Sequence, residues 1–214
     1  MKINAVKITH PDKLWFPKNN ITKLAVIQYY EKIADLMLPY LKNRPLTLHR
    51  FPDGIDSKGF YQKNAADYFP DFIHVIQIKT EKAYNYQPMC NNKKSLLYLV
   101  NQGTVSFHVW LSQKDKLYKP NKVVFDLDPP ENPFKKVKEA TKKTVEFFKK
   151  KGKKPQLMTT GKKGFHVWYT QRRTKTFEEL KPNLKNFAVE LTAQNPSLFY
   201  NRCSKKQAER KSFY

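Results

Sequence analysis

Glycine is scarce in this chain, with six among 214 residues. No cluster of them makes a P-loop or a dinucleotide-binding turn, which disfavours those nucleotide folds. Cysteine is scarcer still. Cys90 and Cys203 lie far apart with no CxxC or Cys/His cluster around either, so neither a disulfide framework nor a zinc site is indicated, and a reducing cytoplasm fits. Long apolar runs are missing, and the N-terminal MKINAVKITHPDK has no signal-like apolar stretch. No basic helix with a purely apolar opposite face dominates the chain. These absences predict a soluble, intracellular protein with no membrane partner. There is no internal repeat, which argues against a solenoid or propeller. Acidic residues are few, 18 against 41 Lys plus Arg, for a formal charge of +23.

What is present describes a folded, basic protein. Hydrophobic residues make up 40% and aromatics 14%, too many for disorder, and 214 residues suffice for one domain or a compact two-lobed one. So large a positive charge predicts a polyanion as partner, with nucleic acid ahead of an anionic membrane surface. The competing reading is a solubility surface in a Lys-rich proteome.

Hydrophobic periodicity outlines an α+β fold. Thr22 is placed to cap a helix running to Tyr40, with Val26, Tyr29, Tyr30, Ile33, Leu36, Met37 and Tyr40 on its stripe. PLTLHRF (45 to 51), FIHVIQIK (72 to 79), TVSFHVW (104 to 110) and KVVFDLD (122 to 128) read as strands, and KKSLLYLVNQG (93 to 103) as a short helix closed by Gly103. Asn132 can cap a further helix with Pro133 at its first position. Phe134, Val137, Val145 and Phe148 share a face of that helix, and Gly152 lies past its end. PQLMTTGKKGFHVWYT (155 to 170) reads as strand, Gly-bracketed turn and strand. Thr176 and Glu179 form a capping box for a last helix with the stripe Phe177, Leu180, Leu184, Phe187 and Leu191. The charge is densest over residues 135 to 151 and in KKQAERK (205 to 211). A solvated face is the favoured reading of the helix, with contact to a DNA backbone second.

Two short motifs carry chemistry. In VVFDLDPP the strand period of two puts Asp126 and Asp128 side by side, and carboxylates that close repel each other unless a cation lies between them. Hard oxygen donors suit Mg²⁺ or Mn²⁺; taken alone, the same pair also fits a strand end that caps the next loop. TTGKKGFHVW brings Thr160, Lys162, Lys163 and His166 around two glycines that let a ligand approach the backbone. Carboxylates for metals and cations for phosphates together describe a pocket for a metal-bound nucleoside triphosphate. A phosphoesterase built on the same Asp pair is a weaker reading, since no nuclease-type acid or His cluster accompanies it.

The run RPLTLHRFPDGIDSKGFYQKNA (44 to 65), then VNQGTVSFHVW, VVFDLDPP and TTGKKGFHVW in this order, resembles the polymerase domain of bacterial ligase D. That family belongs to the archaeo-eukaryotic primase superfamily and serves nonhomologous end joining. The resemblance runs from Asp12 to Tyr214 and implies a primase-polymerase core with mixed or antiparallel sheets flanked by helices. It divides residues 1 to 214 into an end-binding portion of about 1–100 and a catalytic portion of about 101–214. It implies template-directed nucleotidyl transfer with two Mn²⁺ or Mg²⁺ ions on Asp126 and Asp128, filling gaps at DNA ends with a taste for ribonucleotides. Thr160, Lys162, Lys163 and His166, with His108, would contact the incoming nucleoside triphosphate. Lys13 and Lys23 would hold the 5′-phosphate of a DNA end, helped by free N–H groups at the helix start. Phe60 and Tyr61 match an aromatic pair that stacks on bases, with ordinary core aromatics as the alternative. Ku and a DNA ligase are the implied protein partners, in the bacterial cytoplasm at the nucleoid. The family's third metal carboxylate would follow QAERKSFY, and the chain stops at Tyr214, one residue short. The expectation is therefore a fragment of a longer product or a non-catalytic module that binds DNA ends.

Overall fold

Residues 1–81, 83–128, 134–161 and 163–199 are described by the structure, a computed structural model. Asn132, Pro133, Cys203 and the 205–211 charge run lie outside them. The chain divides into two units, Met1–Leu117 and a second beginning at Tyr118.

The first unit opens with two small antiparallel pairs, β1 (Lys2–Ile3) with β2 (Val6–Lys7) and β3 (Leu14–Phe16) with β4 (Ile21–Thr22). Helix α1 (Lys23–Leu41) follows at once, and the Thr22 hydroxyl accepts from the Ala25 N–H at 3.2 Å, as the N-cap expectation requires. Its buried face matches the predicted stripe only in part: Val26 is buried and Tyr30 and Met37 pack against the core. Val26, Ile27, Ala34 and Leu41 are buried, whereas Tyr29, Leu36 and Tyr40 are exposed. Ile27, Ala34 and Leu41 recur every seven residues, two helical turns, and partners distant in sequence choose which neighbouring stripe is buried. Next come β5 (Leu46–Arg50), β6 (Phe60–Gln62), β7 (Val75–Lys79), β8 (Tyr84–Pro88), helix α2 (Lys93–Asn101) and β9 (Thr104–Val109). β5 is the centre of an antiparallel sheet of order β6-β5-β9, and β7 pairs only with β8. Leu46 and Leu48 face a core shared with α1 and α2, while Thr47 and His49 point away from it. Helix α2 starts at an Asn92 cap and is buried along most of its length, with Leu96, Leu97, Leu99 and Val100 fully buried. Gly103, at φ +96°, closes it.

The second unit is one three-stranded sheet with two helices. β10 (Lys122–Leu127) leads to α3 (Phe134–Lys150), then β11 (Gln156–Thr159), β12 (Phe165–Thr170) and α4 (Phe177–Gln194). The order is β10-β12-β11 with both pairings antiparallel, so β10 and β11 run parallel with β12 between them. The β10–α3–β11 connection is thus a split βαβ unit. Val123, Val167 and Tyr169 line the helix side of the sheet and bury themselves against Phe147, Phe148 and Leu191. Buried Thr141 and Thr144 are accommodated because their hydroxyls donate to the carbonyls one turn back, at 2.7 and 2.8 Å. Phe134 is exposed, not on the core face as predicted. The α4 capping box is complete: Glu179 N–H donates to the Thr176 hydroxyl at 3.3 Å, and Thr176 N–H donates to the Glu179 carboxylate at 2.5 Å. No helix among the described residues is long and apolar enough to cross a membrane.

Candidate functional site

Strand alternation sorts the second unit's sheet into two faces. With Val123, Val167 and Tyr169 facing the helices, Val124, Asp126, His166 and Trp168 take the open face. Asp126 pairs directly with His166 in the ladder, and the His166 Nε2 lies 3.2 Å from Asp126 Oδ1. Asp128 follows one residue past the end of β10. Burial first, and then the nearby Asp128 charge, push the Asp126 carboxyl above its ordinary pKa, with His166 opposing them. Asp126 and His166 therefore meet at the mouth of the hairpin, with Asp128 near enough for its charge to act on Asp126. Among the described residues no group of three His, Cys, Asp or Glu side chains has metal-holding geometry.

The β11–β12 turn brings the cationic motif to the same end of the sheet. Gly161 takes φ +80°, which a non-glycine residue adopts only with strain. Thr160 clasps the turn: its hydroxyl donates to the Gly164 carbonyl and accepts from the Gly164 N–H, each at 3.1 Å. The hydroxyl expected to meet a nucleotide is thus committed to the loop itself. Lys163 is exposed, and Lys162 lies outside the described residues.

Gly164 escaped sequence reasoning as a site residue. A Cβ there would lie 2.5 Å from the Leu127 carbonyl oxygen and 2.7 Å from Asp128 Oδ1, so only glycine lets the turn close against the acidic strand end. Gly164→Ala is expected to push Asp128 aside and to cost about 1–3 kcal/mol of overpacking. Thermal unfolding read together with Mn²⁺ titration checks this, since both should weaken.

In the first unit the structure brings Lys13 and Lys23 together. The antiparallel β3–β4 pair folds one back on the other, and Lys23 N–H donates to the Lys13 carbonyl at 2.8 Å. The Lys13 ammonium donates to the Pro52 carbonyl and pairs with Asp53, both at 2.9 Å. Lys23 is buried and donates to the Thr9 carbonyl at 2.8 Å and the Thr9 hydroxyl at 3.0 Å. Burial, and then the Lys13 charge, bring its pKa down from 10.5 to about 8. One expectation is corrected. The N–H groups at the start of α1 are not free, because those of Lys23, Leu24 and Ala25 donate to the Lys13 and Pro11 carbonyls and the Thr22 hydroxyl. The preceding loop occupies them.

Phe60 and Tyr61 are 46% and 61% exposed, so neither is a core aromatic. Nor do they form one platform. As neighbours on β6 they point to opposite faces: Phe60 lies over the Arg50 guanidinium at 5.4 Å, while Tyr61 stacks on the His49 ring at 4.2 Å and 11°. His108 pairs with Thr47 on β9 and stands edge-on to Tyr61 at 5.3 Å. Burial, and then the His49 ring, lower its pKa. His49 was also missed, although the alternation of Leu46 and Leu48 with Thr47 and His49 marks it as outward-facing.

The family described as LigD, primase-polymerase domain, matches residues 22–214. The chain is 30% identical over 197 residues to the multifunctional non-homologous end joining protein LigD of Pseudomonas aeruginosa, covering 91% of this chain and 23% of that protein. It is 40% identical over 125 residues to the bifunctional non-homologous end joining protein LigD of Bacillus subtilis, over 58% of this chain and 20% of that one. It therefore spans less than a quarter of the length of either relative. In three dimensions it matches the solved polymerase domain from Mycobacterium tuberculosis ligase D, itself in complex with DNA, with a TM-score of 0.83. That likeness covers 89% of this chain and 70% of the other at 24% identity, and is one of fold. With a match that takes in both Asp126 and His166 and runs over most of its length, the chain belongs to the LigD primase-polymerase domain family.

Proposed function

We propose that this chain performs template-directed nucleotidyl transfer at DNA ends, as part of nonhomologous end joining with Ku and a DNA ligase as partners. The observation that carries the reading is the Asp126–His166 pair, with Asp128 packed against Gly164 of the adjoining turn. The donor set fits a hard divalent cation. The Asp126 carboxylate, whose ionisation burial and then the Asp128 charge disfavour, gains most from a Mn²⁺ or Mg²⁺ ion, and Gly164 removes the side chain that would crowd Asp128. Such ions, when bound, lower the pKa of an attacking hydroxyl and neutralise charge on the leaving pyrophosphate.

The chain's own residues bind and orient. Lys163, with Lys162, supplies ammonium groups for the triphosphate, and Lys163 stands exposed on the turn. His166 donates to the triphosphate while its other contact is Asp126. Thr160 serves by holding the turn. His108, whose charged form burial and then the His49 ring disfavour, offers a nucleotide a hydrogen bond. Tyr61, stacked on His49, provides a surface for a splayed base, and Phe60, over the Arg50 guanidinium, offers a second one on the other face. Lys13 and Lys23 hold the 5′-phosphate. In this division of labour the first unit selects the end and the second carries the chemistry.

Lys163→Ala is the experiment for this reading. Loss of one charge-assisted hydrogen bond, about 1.5–3 kcal/mol, should weaken nucleoside triphosphate binding by at least about tenfold while DNA affinity changes little. Equal losses in both would make Lys163 a general surface charge. A second reading, a non-catalytic module that binds DNA ends, draws on the Lys13–Lys23 pocket, which is built wholly within the first unit. Metal-dependent primer extension separates the two.

A further inference from the structure

A cleft of about 600 Å³ opens in the second unit on the side of the sheet opposite Asp126 and His166. Its floor is apolar, made by Tyr169, Leu180, Leu184 and Phe187 from β12 and α4. It lies at the far end of the strands: Thr170, which lines it, pairs with Lys122, four residues or about 13 Å along the ladder from the Asp126–His166 pair. Three cations, Lys153, Arg172 and Lys175, stand around it. The lining carboxylate, Glu190, is already paired with Lys151 at 2.7 Å, so the net field in the cleft is positive.

Four polar side chains of this cleft lack partners. Among the described residues the side chains of Arg172, Thr174, Asn183 and Asn186 make no hydrogen bond or ion pair, although all four converge on the same space. Gln171 spends its amide N–H on the Pro120 carbonyl at 3.2 Å and keeps its own oxygen available as an acceptor. Cations for an anion, carboxamides that both donate and accept, and an aromatic floor are what a phosphorylated, ring-bearing ligand requires. The volume is of the size that holds one such unit.

We propose that this cleft is a second phosphate-binding site that takes one nucleotide unit, free or within a strand, on the reverse of the carboxylate face. Arg172 and Lys175 hold the phosphate, Asn183 and Asn186 read polar groups of the base or sugar, and Tyr169 and Phe187 pack beneath the ring. The site stands whether or not the open face catalyses nucleotidyl transfer, because it shares no side chain with Asp126, Asp128 or His166.

The test follows the side-chain amide signals of Asn183 and Asn186 by NMR in the whole ¹⁵N-labelled chain, with EDTA present so that the carboxylates hold no metal. The probes are ATP and, separately, a six-residue oligothymidylate. At least one probe should move both signals saturably. Saturation by ATP alone assigns a free nucleotide, and saturation by the oligonucleotide alone or more tightly assigns a strand. Arg172→Gln with Lys175→Gln should weaken that titration at least about tenfold while leaving the melting temperature unchanged. Asn183→Ala should weaken it independently. Signals that do not move, that drift without saturating, or that respond identically in the Arg172/Lys175 variant would overturn the assignment.

Discussion

Replacing either Asp126 or Asp128 with alanine is expected to abolish Mn²⁺ binding and to lower primer extension by about three orders of magnitude. That factor corresponds to about 4 kcal/mol, the several kcal/mol that metal ions contribute to phosphoryl-transfer transition states. A second consequence separates chemistry from folding. In the metal-free protein the Asp126 carboxyl is held above its ordinary pKa by burial and by Asp128. A carboxyl whose folded-state pKa is raised makes its ionised form a cost to the fold, present at neutral pH and relieved as pH falls through that pKa. Asp126→Asn removes the cost, so the variant should melt at a higher temperature than the parent in EDTA at pH 7, and the gap should shrink on acidification. Mn²⁺ should raise the parent's melting temperature and leave the variant's where it is. Greater stability with lost activity is the pattern of a site strained for function. If both alanine variants keep an unchanged Mn²⁺ titration, the two-carboxylate site is wrong.

A gapped or overhanging duplex carrying a 5′-phosphate should outcompete the same duplex with a 5′-hydroxyl by about a hundredfold at low ionic strength, from two charged hydrogen bonds of about 1.5 kcal/mol each. Lys13→Ala with Lys23→Ala should reduce that ratio to near one while leaving residual, salt-sensitive binding to the backbone. The pH dependence follows from Lys23. Its folded pKa of about 8 lies below the ordinary 10.5, so the free protein gains stability as pH rises from about 8 towards 10.5, where the unfolded chain still holds the proton and the folded one does not. Binding runs the other way. A phosphate favours the charged amine, so the preference fades as pH rises above about 8, and it also fades below about 6, where a phosphate monoester takes up its second proton. Binding near pH 8 should therefore take up protons, which calorimetry in buffers of different ionisation heat detects. Indifference of the unmutated protein to the 5′ group would remove end recognition from both the enzymatic and the binding-module reading.

The parts of this molecule that were legible in its sequence are those governed by neighbours in the chain. Thr22 caps α1, and Thr176 with Glu179 caps α4, because capping is settled within four residues. Asp126 and His166 were separately visible as members of motifs, and the hairpin after Thr159 announced itself through Gly161 and Gly164. Faces and pairings set at long range were not legible. Nothing local says that β5 pairs with both β6 and β9, and only that register sends Tyr61 to His49 and Phe60 to Arg50. The α1 stripe held at Val26, Tyr30 and Met37 and missed at Leu36 for the same reason: tertiary packing buries Ala34 and leaves Leu36 exposed. The N–H groups at the start of α1 are taken by the carbonyls of Pro11 and Lys13, a contact made by the path of the preceding loop and not by its composition.

The central claim is that the open face of the β10–β12 hairpin is a metal-dependent nucleotidyl-transfer centre. Its most direct measurement is single-nucleotide extension by the unmutated chain on a gapped duplex with a recessed 5′-phosphate, with each of the four nucleoside triphosphates offered in turn, in Mn²⁺ and in EDTA. Addition in Mn²⁺ of the one nucleotide complementary to the template, absent in EDTA and absent from Asp126→Ala, is the predicted result. No addition by the unmutated chain, in the presence of measurable Mn²⁺ and triphosphate binding, would contradict it.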